Sequence, residues 1–201
     1  MALEGFYNLK DKKKEHILQS VINCLKKKTY DELSVNDIVV AADISRGSFY
    51  NYFVDKSDAV STLVDSKIKQ YMDGFVSAVI FSSYDLIEGT RHFYEQVKER
   101  FKDEINISIV RNIRFLSEFA FQSLHSDKFR GYRNEIIDWL IKNTKEGKEV
   151  LKTKKKMQNI LDMLVLLVLN SIVIQIIFRP NFLSANDDLN YKLDTIKKGL
   201  I

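Results

Sequence analysis

Start and stop signals of two short helices follow one another in the stretch LSVNDIVVAADISRGSFYNYF. Ser34 is a favoured N-cap residue, and Asp37 three residues later can complete a capping box. Leu33 and Ile38 stand at the two positions of a hydrophobic staple, which fixes the direction in which the chain enters the helix. These signals predict a helix that starts after Ser34 and ends near Ala42.

A second set of signals follows at once. Asp43 suits a turn, because Asp tolerates left-handed backbone better than most residues other than Gly. Ser45 is another N-cap, and Ile44 with Phe49 repeats the staple. The next predicted helix therefore covers residues 46–52. Two short helices with a tight connection form the helix-turn-helix pattern.

Helical spacing of apolar residues continues along the rest of the chain. One helix over about residues 11–28 precedes the motif, and a much longer one over about 55–81 follows it. Further helices are predicted over 86–101, 103–124, 127–151, 153–178 and 187–200. A single Pro and few Gly suit this pattern. We expect an all-α protein, with a three-helix helix-turn-helix head (residues 1–54) and a long fourth helix leading into a helical bundle domain (residues 55–201).

The most apolar stretch is MLVLLVLNSIVIQIIF, residues 163–178. It is shorter than the roughly 20 apolar residues that a membrane span needs, and it contains Asn170, Ser171 and Gln175. A helix that is apolar on most sides is usually buried by other helices or by a second copy of the chain. We expect that arrangement and no membrane role, with a membrane-associated helical protein as the lesser alternative.

Charge and cysteine content limit the possible functions. Basic and acidic side chains are equal in number over residues 1–60, so DNA binding would need a local arrangement of charge. Cys24 is the only cysteine, which excludes an internal disulfide and fits a small buried side chain. Without a recognisable signal peptide, we expect the reducing cytoplasm.

The helix predicted at residues 46–52 has a core face and an outward face. Phe49 and Phe53 are i,i+4 partners and are expected in the core. The outward face then offers Arg46, Gly47, Ser48, Tyr50 and Tyr52. Arg can donate two hydrogen bonds to guanine, Gly lets the backbone approach, and hydroxyl groups reach phosphates. Both tyrosines could also be surface rings without a partner, but the helix-turn-helix context favours DNA.

The segment YDELSVNDIVVAADISRGSFYNYFVDKSDAV, residues 30–60, resembles the DNA-binding head of the TetR family of bacterial transcriptional regulators. That family's pattern has a helix from Ser or Thr to Ala, a short turn, a Ser-x-Gly-led recognition helix rich in aromatic residues, and a Lys that opens the next helix. The matching positions are Ser34, Ala41, Ala42, Ser45, Gly47, Ser48, Phe49, Tyr50, Tyr52, Phe53 and Lys56. Asp43 departs from the pattern, which usually has Gly there, and an acid near DNA costs affinity.

The resemblance implies specific contacts with double-stranded DNA. It implies base or groove contacts from Arg46, Gly47, Ser48 and Tyr50. It implies phosphate contacts from Ser45, Tyr50, Tyr52 and Lys56. Asn36 aligns with a position that sometimes contacts a base. Lysines at the start of the first helix either reach flanking phosphates or only solvate the helix; they are Lys10, Lys12, Lys13 and Lys14.

The resemblance also implies a homodimer formed through the last two long helices, here residues 154–178 and 187–200. Two heads would then span successive major grooves about 34–36 Å apart. Family members often bind a small effector in the C-terminal bundle, which requires different affinities for two states. Polar residues among apolar ones are candidates for that pocket, although each also fits a capping, surface or interface role: Tyr71, His92, Gln96, Arg111, Arg114, Trp139, Asn170 and Gln175.

We therefore expect a homodimeric transcriptional regulator, more readily a repressor than an activator, with a palindromic operator and an unknown small-molecule effector. The alternative is a TetR-like activator or interaction protein that acts through its C-terminal helices on a protein partner. The three histidines lack metal-ligand spacing, and the sequence holds no catalytic or nucleotide-binding motif. We expect no enzyme activity, no metal and no cofactor.

Overall fold

The computed structural model describes residues 2–104, 107–177 and 184–200, and these residues form helices joined by turns, with no strand among them. The helices are α1 (Glu4–Tyr7), α2 (Asp11–Lys27), α3 (Val35–Ala41), α4 (Arg46–Tyr52), α5 (Lys56–Phe81), α6 (Leu86–Glu104), α7 (Ile107–His125), α8 (Asp127–Asn143), α9 (Lys145–Glu149), α10 (Lys154–Ile177) and α11 (Ser184–Leu200). The all-α prediction is confirmed, and α5 is the predicted long fourth helix.

Several predicted boundaries are wrong. The short helix α1 was not predicted, α6 continues to Glu104, α11 begins at Ser184, and the predicted helix 127–151 is divided into α8 and α9. The division falls at Thr144, whose hydroxyl accepts a hydrogen bond from the Gly147 amide at 3.0 Å and so starts a new helix. A Cβ at Gly147 would lie 2.5 Å from the carbonyl oxygen of Leu140, so only Gly allows α9 to fold back this closely.

The chain packs as two units, which we describe separately. The first unit comprises Met1–Gln70 and Ile105–Phe129, and the second comprises Tyr71–Glu104 and Arg130–Ile201. The first thus contains α1 to α4, the first part of α5, and α7. Our division of the chain at residue 54 into a DNA-binding domain and a ligand-binding and dimerisation domain concerns function, and it stays a prediction.

In the first unit, α2 holds the C-terminal end of α3 through side chains spaced four residues apart. Ser20 Oγ donates to the carbonyl of Ala41 at 3.0 Å, and His16 Nε2 lies 3.2 Å from the carbonyl oxygen of Ala42. These carbonyls lie at the C-terminal end of α3, where the helix has no N–H groups left to bond them. Cys24 continues the same row and is buried, which confirms its predicted place in the core, and burial raises the pKa of its thiol.

The loop after α2 is held by a buried side chain of α7. Asn112 Nδ2 donates to the carbonyls of Leu25 at 3.0 Å and Lys28 at 3.1 Å, while its Oδ1 accepts from the amide of Tyr30 at 2.7 Å. The Tyr30 ring also contacts two phenylalanine rings of α7. One side chain therefore satisfies three backbone groups in the last turn of α2 and in the loop that follows it.

In the second unit, charged side chains join α6 to α11. Lys197 Nζ lies 3.2 Å from Asp85 Oδ2 and 3.1 Å from Glu88 Oε1, and hydrogen bonding to Glu88 is the main reason that the pKa of Lys197 is raised. Arg91 adds an ion pair to Asp194 at 2.8 Å. These contacts fasten the last described helix to the core of its unit.

The helix α10 has two apolar faces. One face, which includes Leu164 and Val168, is buried in the core of the second unit, as predicted. The other face exposes Met163, Leu166 and Leu169, and Leu166 is 66% exposed. Among the described residues, no helix combines the length and the apolar content that crossing a membrane requires.

We predict that Asn112→Ala lowers the free energy of unfolding by about 2–3 kcal/mol, because it leaves buried backbone groups without partners. Urea unfolding followed by circular dichroism measures the change. Asn23→Ala on the exposed face of α2 is the matched control, with an expected change within about 0.5 kcal/mol. Equal unfolding midpoints for wild type and Asn112→Ala would contradict the role given to this side chain.

Candidate DNA-binding surface

The turn between α3 and α4 is a Schellman motif. The Ile44 amide donates to the carbonyl of Val39 at 3.2 Å, and the Asp43 amide donates to that of Val40 at 3.4 Å. Asp43 has φ of 48°, which is left-handed backbone. The prediction that Asp43 forms the turn in this conformation is confirmed. The motif sets the direction in which α4 leaves α3.

The N-terminus of α3 is closed by the predicted capping box. Ser34 Oγ accepts from the Asp37 amide at 3.2 Å, and Asp37 Oδ2 accepts from the Ser34 amide at 2.9 Å. Lys28 Nζ adds an ion pair to Asp37 Oδ1 at 2.7 Å. The hydrogen bonds from Lys28 and Ser34 lower the pKa of Asp37 to about 2. The carboxylate therefore links the end of α2 to the start of α3.

The helix α4 is anchored by two buried rings. Phe49 and Phe53 are 0% exposed, and their centroids lie 5.4 Å apart in the core of the first unit. Ser45 caps the helix by accepting from the Ser48 amide at 3.0 Å. The predicted division of the aromatic residues is therefore confirmed for the two phenylalanines.

The remaining face of α4 points to solvent. Arg46 and Gly47 are exposed, Tyr50 is 45% exposed, and Tyr52 is half-buried. The guanidinium carbon of Arg46 lies 5.9 Å from the centroid of the Tyr50 ring, so the cation and the ring share one surface. Ser48 is half-buried, with its hydroxyl 2.9 Å from that of Ser45. The structure thus brings the predicted α4 residues together on one side.

Gly47 has no steric reason within the chain to be Gly. A Cβ placed there would meet only Ser45 Oγ, at 3.8 Å, which is an ordinary contact. The position is helical and exposed, where Gly is less stable than Ala by about 1 kcal/mol. The absence of a side chain at position 47 therefore gives the described part of the chain no packing advantage.

Lys56 differs from the other predicted DNA contacts, because its ammonium group is engaged within the protein. Its Nζ donates to the carbonyls of Tyr30 at 3.0 Å and Leu33 at 2.9 Å, and it lies 4.7 Å from the centroid of the Tyr30 ring. This cation holds the loop before α3 against the start of α5. Its predicted phosphate contact stays a prediction, and a phosphate would have to share the ammonium group with these carbonyls.

The other predicted DNA contacts lie on α2 and α3. Asn36 is exposed on α3. Lys10 and Lys12 are exposed at the start of α2, Lys13 is half-buried, and Lys14 pairs with Asp11 at 3.3 Å. The contact of these lysines with flanking phosphates stays a prediction.

The candidates for an effector pocket whose side chains the structure describes are distributed over several helices of the second unit, whereas Arg111 and Arg114 belong to the first unit. His92 stacks on Phe81 with centroids 4.5 Å apart, and its Nε2 lies 2.9 Å from the side-chain nitrogen of Gln96. Tyr71 is half-buried on α5, and Asn170 is exposed on α10. The side chains of Arg111, Arg114 and Gln175 lie outside what the structure describes.

Trp139 lines a groove of about 370 Å³ between α5 and α8. The other residues of this lining are Asp73, Val76, Ser77, Tyr132, Glu135 and Ile136. The Tyr132 hydroxyl donates to the Asp73 carboxylate, and burial together with this carboxylate raises the pKa of Tyr132 to about 12. Sequence reasoning missed these partners of Trp139, although their spacing of three and four residues on each helix marks one face.

Three comparisons with known proteins bear on this site. Residues 17–60 match the family model for bacterial regulatory proteins of the tetR family. The HTH-type transcriptional regulator EthR of Mycolicibacterium smegmatis is 38% identical over 69 residues, which are 34% of this chain and 32% of EthR. An uncharacterised HTH-type transcriptional regulator from the lacX 3' region of Lactococcus lactis is 31% identical over 74 residues, 37% of each chain.

The sequence matches therefore span about a third of these relatives. A solved TetR-family transcriptional regulator from Streptomyces coelicolor superposes over more of the chain. It covers 94% of this chain and 90% of its own, with a TM-score of 0.61 and 12% identity, a likeness that concerns the fold.

The fold and the surface of α4 define an all-α helix-turn-helix protein. The resemblance of residues 30–60 to the TetR family of bacterial regulatory proteins is confirmed, because residues 17–60 match the model of that family. The fold of the described residues is like that of a solved TetR-family regulator.

The capping box gives a pH-dependent prediction. The pKa of Asp37 in the folded chain, about 2, lies below its ordinary value of 3.8. Its stabilisation is therefore complete above about pH 4 and is lost as the pH falls through about 2. We expect Asp37→Asn to lower stability by about 1 kcal/mol at pH 7, with a smaller difference from wild type at pH 2.

Thermal unfolding of both proteins across this range measures the difference in melting temperature. Asp31→Asn, at an exposed position in the preceding loop, is the control. A gap between wild type and Asp37→Asn that stays constant down to pH 2 would show that the charge of Asp37 has no part in the cap.

Proposed function

We propose that this protein is a sequence-specific DNA-binding transcriptional regulator, a repressor that acts in the cytoplasm as a homodimer on a palindromic operator. The observation that carries the proposal is the outward face of α4, where Arg46, Gly47 and Tyr50 are exposed on a helix whose other face is buried. In this proposal α4 enters the major groove.

Each residue of this face has a distinct task in the proposal. Arg46 donates two hydrogen bonds to a guanine edge, and Gly47 is the point of closest approach between helix backbone and DNA. Tyr50 contacts the groove through its ring and a phosphate through its hydroxyl. Asn36 on α3 and Ser48 support base or groove contacts, while Ser45, Tyr52 and Lys56 contact phosphates, with flanking phosphates left to Lys10, Lys12, Lys13 and Lys14.

Homodimerisation is supported by the exposed face of α10. Large apolar side chains exposed together on one helix favour association, because burying them removes apolar surface from water. Met163, Leu166 and Leu169 form such a face opposite the buried one, and Tyr191 on α11 is 75% exposed. A second copy of the chain would cover them and present two α4 helices to successive major grooves.

Control by a small effector is the third part of the proposal. The groove beside Trp139 is the described cavity that we would test, since it combines an indole, two aliphatic side chains and the Tyr132–Asp73 hydrogen bond. Two carboxylates in its lining disfavour anionic ligands. An effector would change operator affinity only if it bound the two states of the protein unequally.

Selection of bound sequences from random duplex DNA tests the function directly. We expect the wild-type protein to enrich a palindromic site. A protein that enriches no sequence, under conditions where it is folded, would overturn the proposal.

Gly47→Ala separates the DNA-binding role of α4 from its stability. We expect the variant to be as stable as wild type or more so, by up to about 1 kcal/mol, because Ala favours the helix and meets no neighbour. We expect its affinity for the selected duplex to fall at least about tenfold, since a methyl group must push the backbone away from DNA. Gly131→Ala, on α8 with open space around it, is the matched control.

Titrations of the selected duplex at fixed salt measure these affinities. For Arg46→Ala, we expect the binding free energy to weaken by about 1–3 kcal/mol. If Gly47→Ala binds the duplex as tightly as wild type, α4 does not approach DNA through this residue.

Leu166→Asp tests the dimer. We expect the wild-type protein to sediment as a dimer and the variant as a folded monomer, because a carboxylate in an apolar interface loses its hydration. Leu124→Asp, an exposed leucine on α7, is the control and should leave the dimer intact. A monomeric wild-type protein, or a variant that remains dimeric, would contradict the assigned interface.

A further inference from the structure

The N-terminal segment, residues 2–9, lies against the C-terminal end of α4. It contains the four-residue helix α1, and it precedes the span that matches the family model, which begins at residue 17. Three independent contacts join this segment to α4 and the residue that follows it.

The first contact is a backbone hydrogen bond. The Leu3 amide donates to the carbonyl of Tyr52 at 2.8 Å. Tyr52 is the last residue of α4, and Phe53 after it is extended, with φ of −139°. The carbonyl of Tyr52 has no intrahelical donor, so the N-terminal segment supplies one.

The second contact is a close approach of two backbones. A Cβ at Gly5 would lie 2.5 Å from the carbonyl oxygen of Asn51 and 3.7 Å from a ring carbon of Tyr52. The carbonyl belongs to the backbone of α4, so it cannot rotate away as a side chain could. Any residue other than Gly at position 5 must displace either the segment or the end of α4.

The third contact is aromatic packing. Phe6 is 3% exposed, and its ring centroid lies 5.1 Å from that of Phe53, which in turn contacts Phe49. The N-terminal segment thereby continues the row of rings that anchors α4, and it covers the end of that row.

We propose that residues 2–7 form a clamp that fixes the C-terminal end of α4 and so positions Tyr50 and Tyr52 for DNA. Leu3 and Gly5 are positioning residues in this clamp, and neither needs to touch DNA. The inference rests on the proposed function for its DNA-binding consequence, whereas its structural part stands on the contacts within the first unit.

Two pairs of variants of the full chain test the clamp. Gly5→Ala introduces the clash, and Gly131→Ala is the same change in open space. Leu3→Pro removes the amide donor, while its φ of −75° already suits Pro. Leu3→Ala keeps the donor, so that comparing the two Leu3 variants isolates the hydrogen bond.

Amide hydrogen exchange gives the structural measurement, independent of any DNA. We expect faster exchange at residues 49–53 in Gly5→Ala and Leu3→Pro than in their paired controls, with unchanged exchange in α6. Unaltered exchange at residues 49–53 in both test variants would overturn the clamp, whether or not the wild-type protein enriches a DNA sequence.

DNA titration gives the functional measurement, with the duplex selected by wild type and a scrambled duplex. We expect affinity for the selected duplex to fall about three- to tenfold in both test variants relative to their controls. The salt dependence should not change, because the phosphate-binding charges are intact. Affinity for the scrambled duplex should fall less than affinity for the selected duplex, because only the selected duplex offers the groove contact of Tyr50. Equal losses on both duplexes, or no loss, would contradict a positioning role.

Discussion

Burial of Phe49 and Phe53 is the constraint on which the candidate DNA-binding surface depends. A helix of seven residues is too short to be stable alone in water, and α4 has only this length. Both rings are fully buried. Their burial stabilises α4 as a helix, and it also fixes the rotation of α4 about its own axis. Once that rotation is set, Arg46, Gly47 and Tyr50 must face outward. The burial of these two side chains therefore determines which residues of α4 are exposed.

The same unit shows how a distant part of the chain is tied to the head. Asn112 on α7 bonds three backbone groups around the end of α2, and Tyr30 in that loop contacts Phe115 and Phe119. Lys56 at the start of α5 holds the carbonyls of the same loop. A displacement of α7 must break these contacts or carry the loop with it. Because α3 begins directly after the loop, a displacement that moves the loop also moves the start of the helix-turn-helix motif.

The sequence predicted those features whose signals are local. The caps at Ser34 and Ser45, the turn at Asp43 and the burial of Phe49 all follow from residues within one or two helical turns. The clamp of residues 2–7 could not be predicted in this way, because it pairs Leu3 and Gly5 with residues far along the chain. The internal acceptors of Lys56 and the groove beside Trp139 depend likewise on packing between helices, which periodicity does not specify.

Asp43 shows how local and external demands meet in one residue. The Schellman motif needs left-handed backbone at this position, and the two amide-to-carbonyl bonds that close it do not involve the side chain. Gly would adopt φ of 48° at lower cost, and in the proposed complex it would bring no negative charge towards DNA. Asp is therefore the worse residue for the turn and for phosphate proximity alike. The turn persists because Ile44 packs against the core cluster that contains Phe49 and Phe53, and this packing holds the backbone on both sides of Asp43.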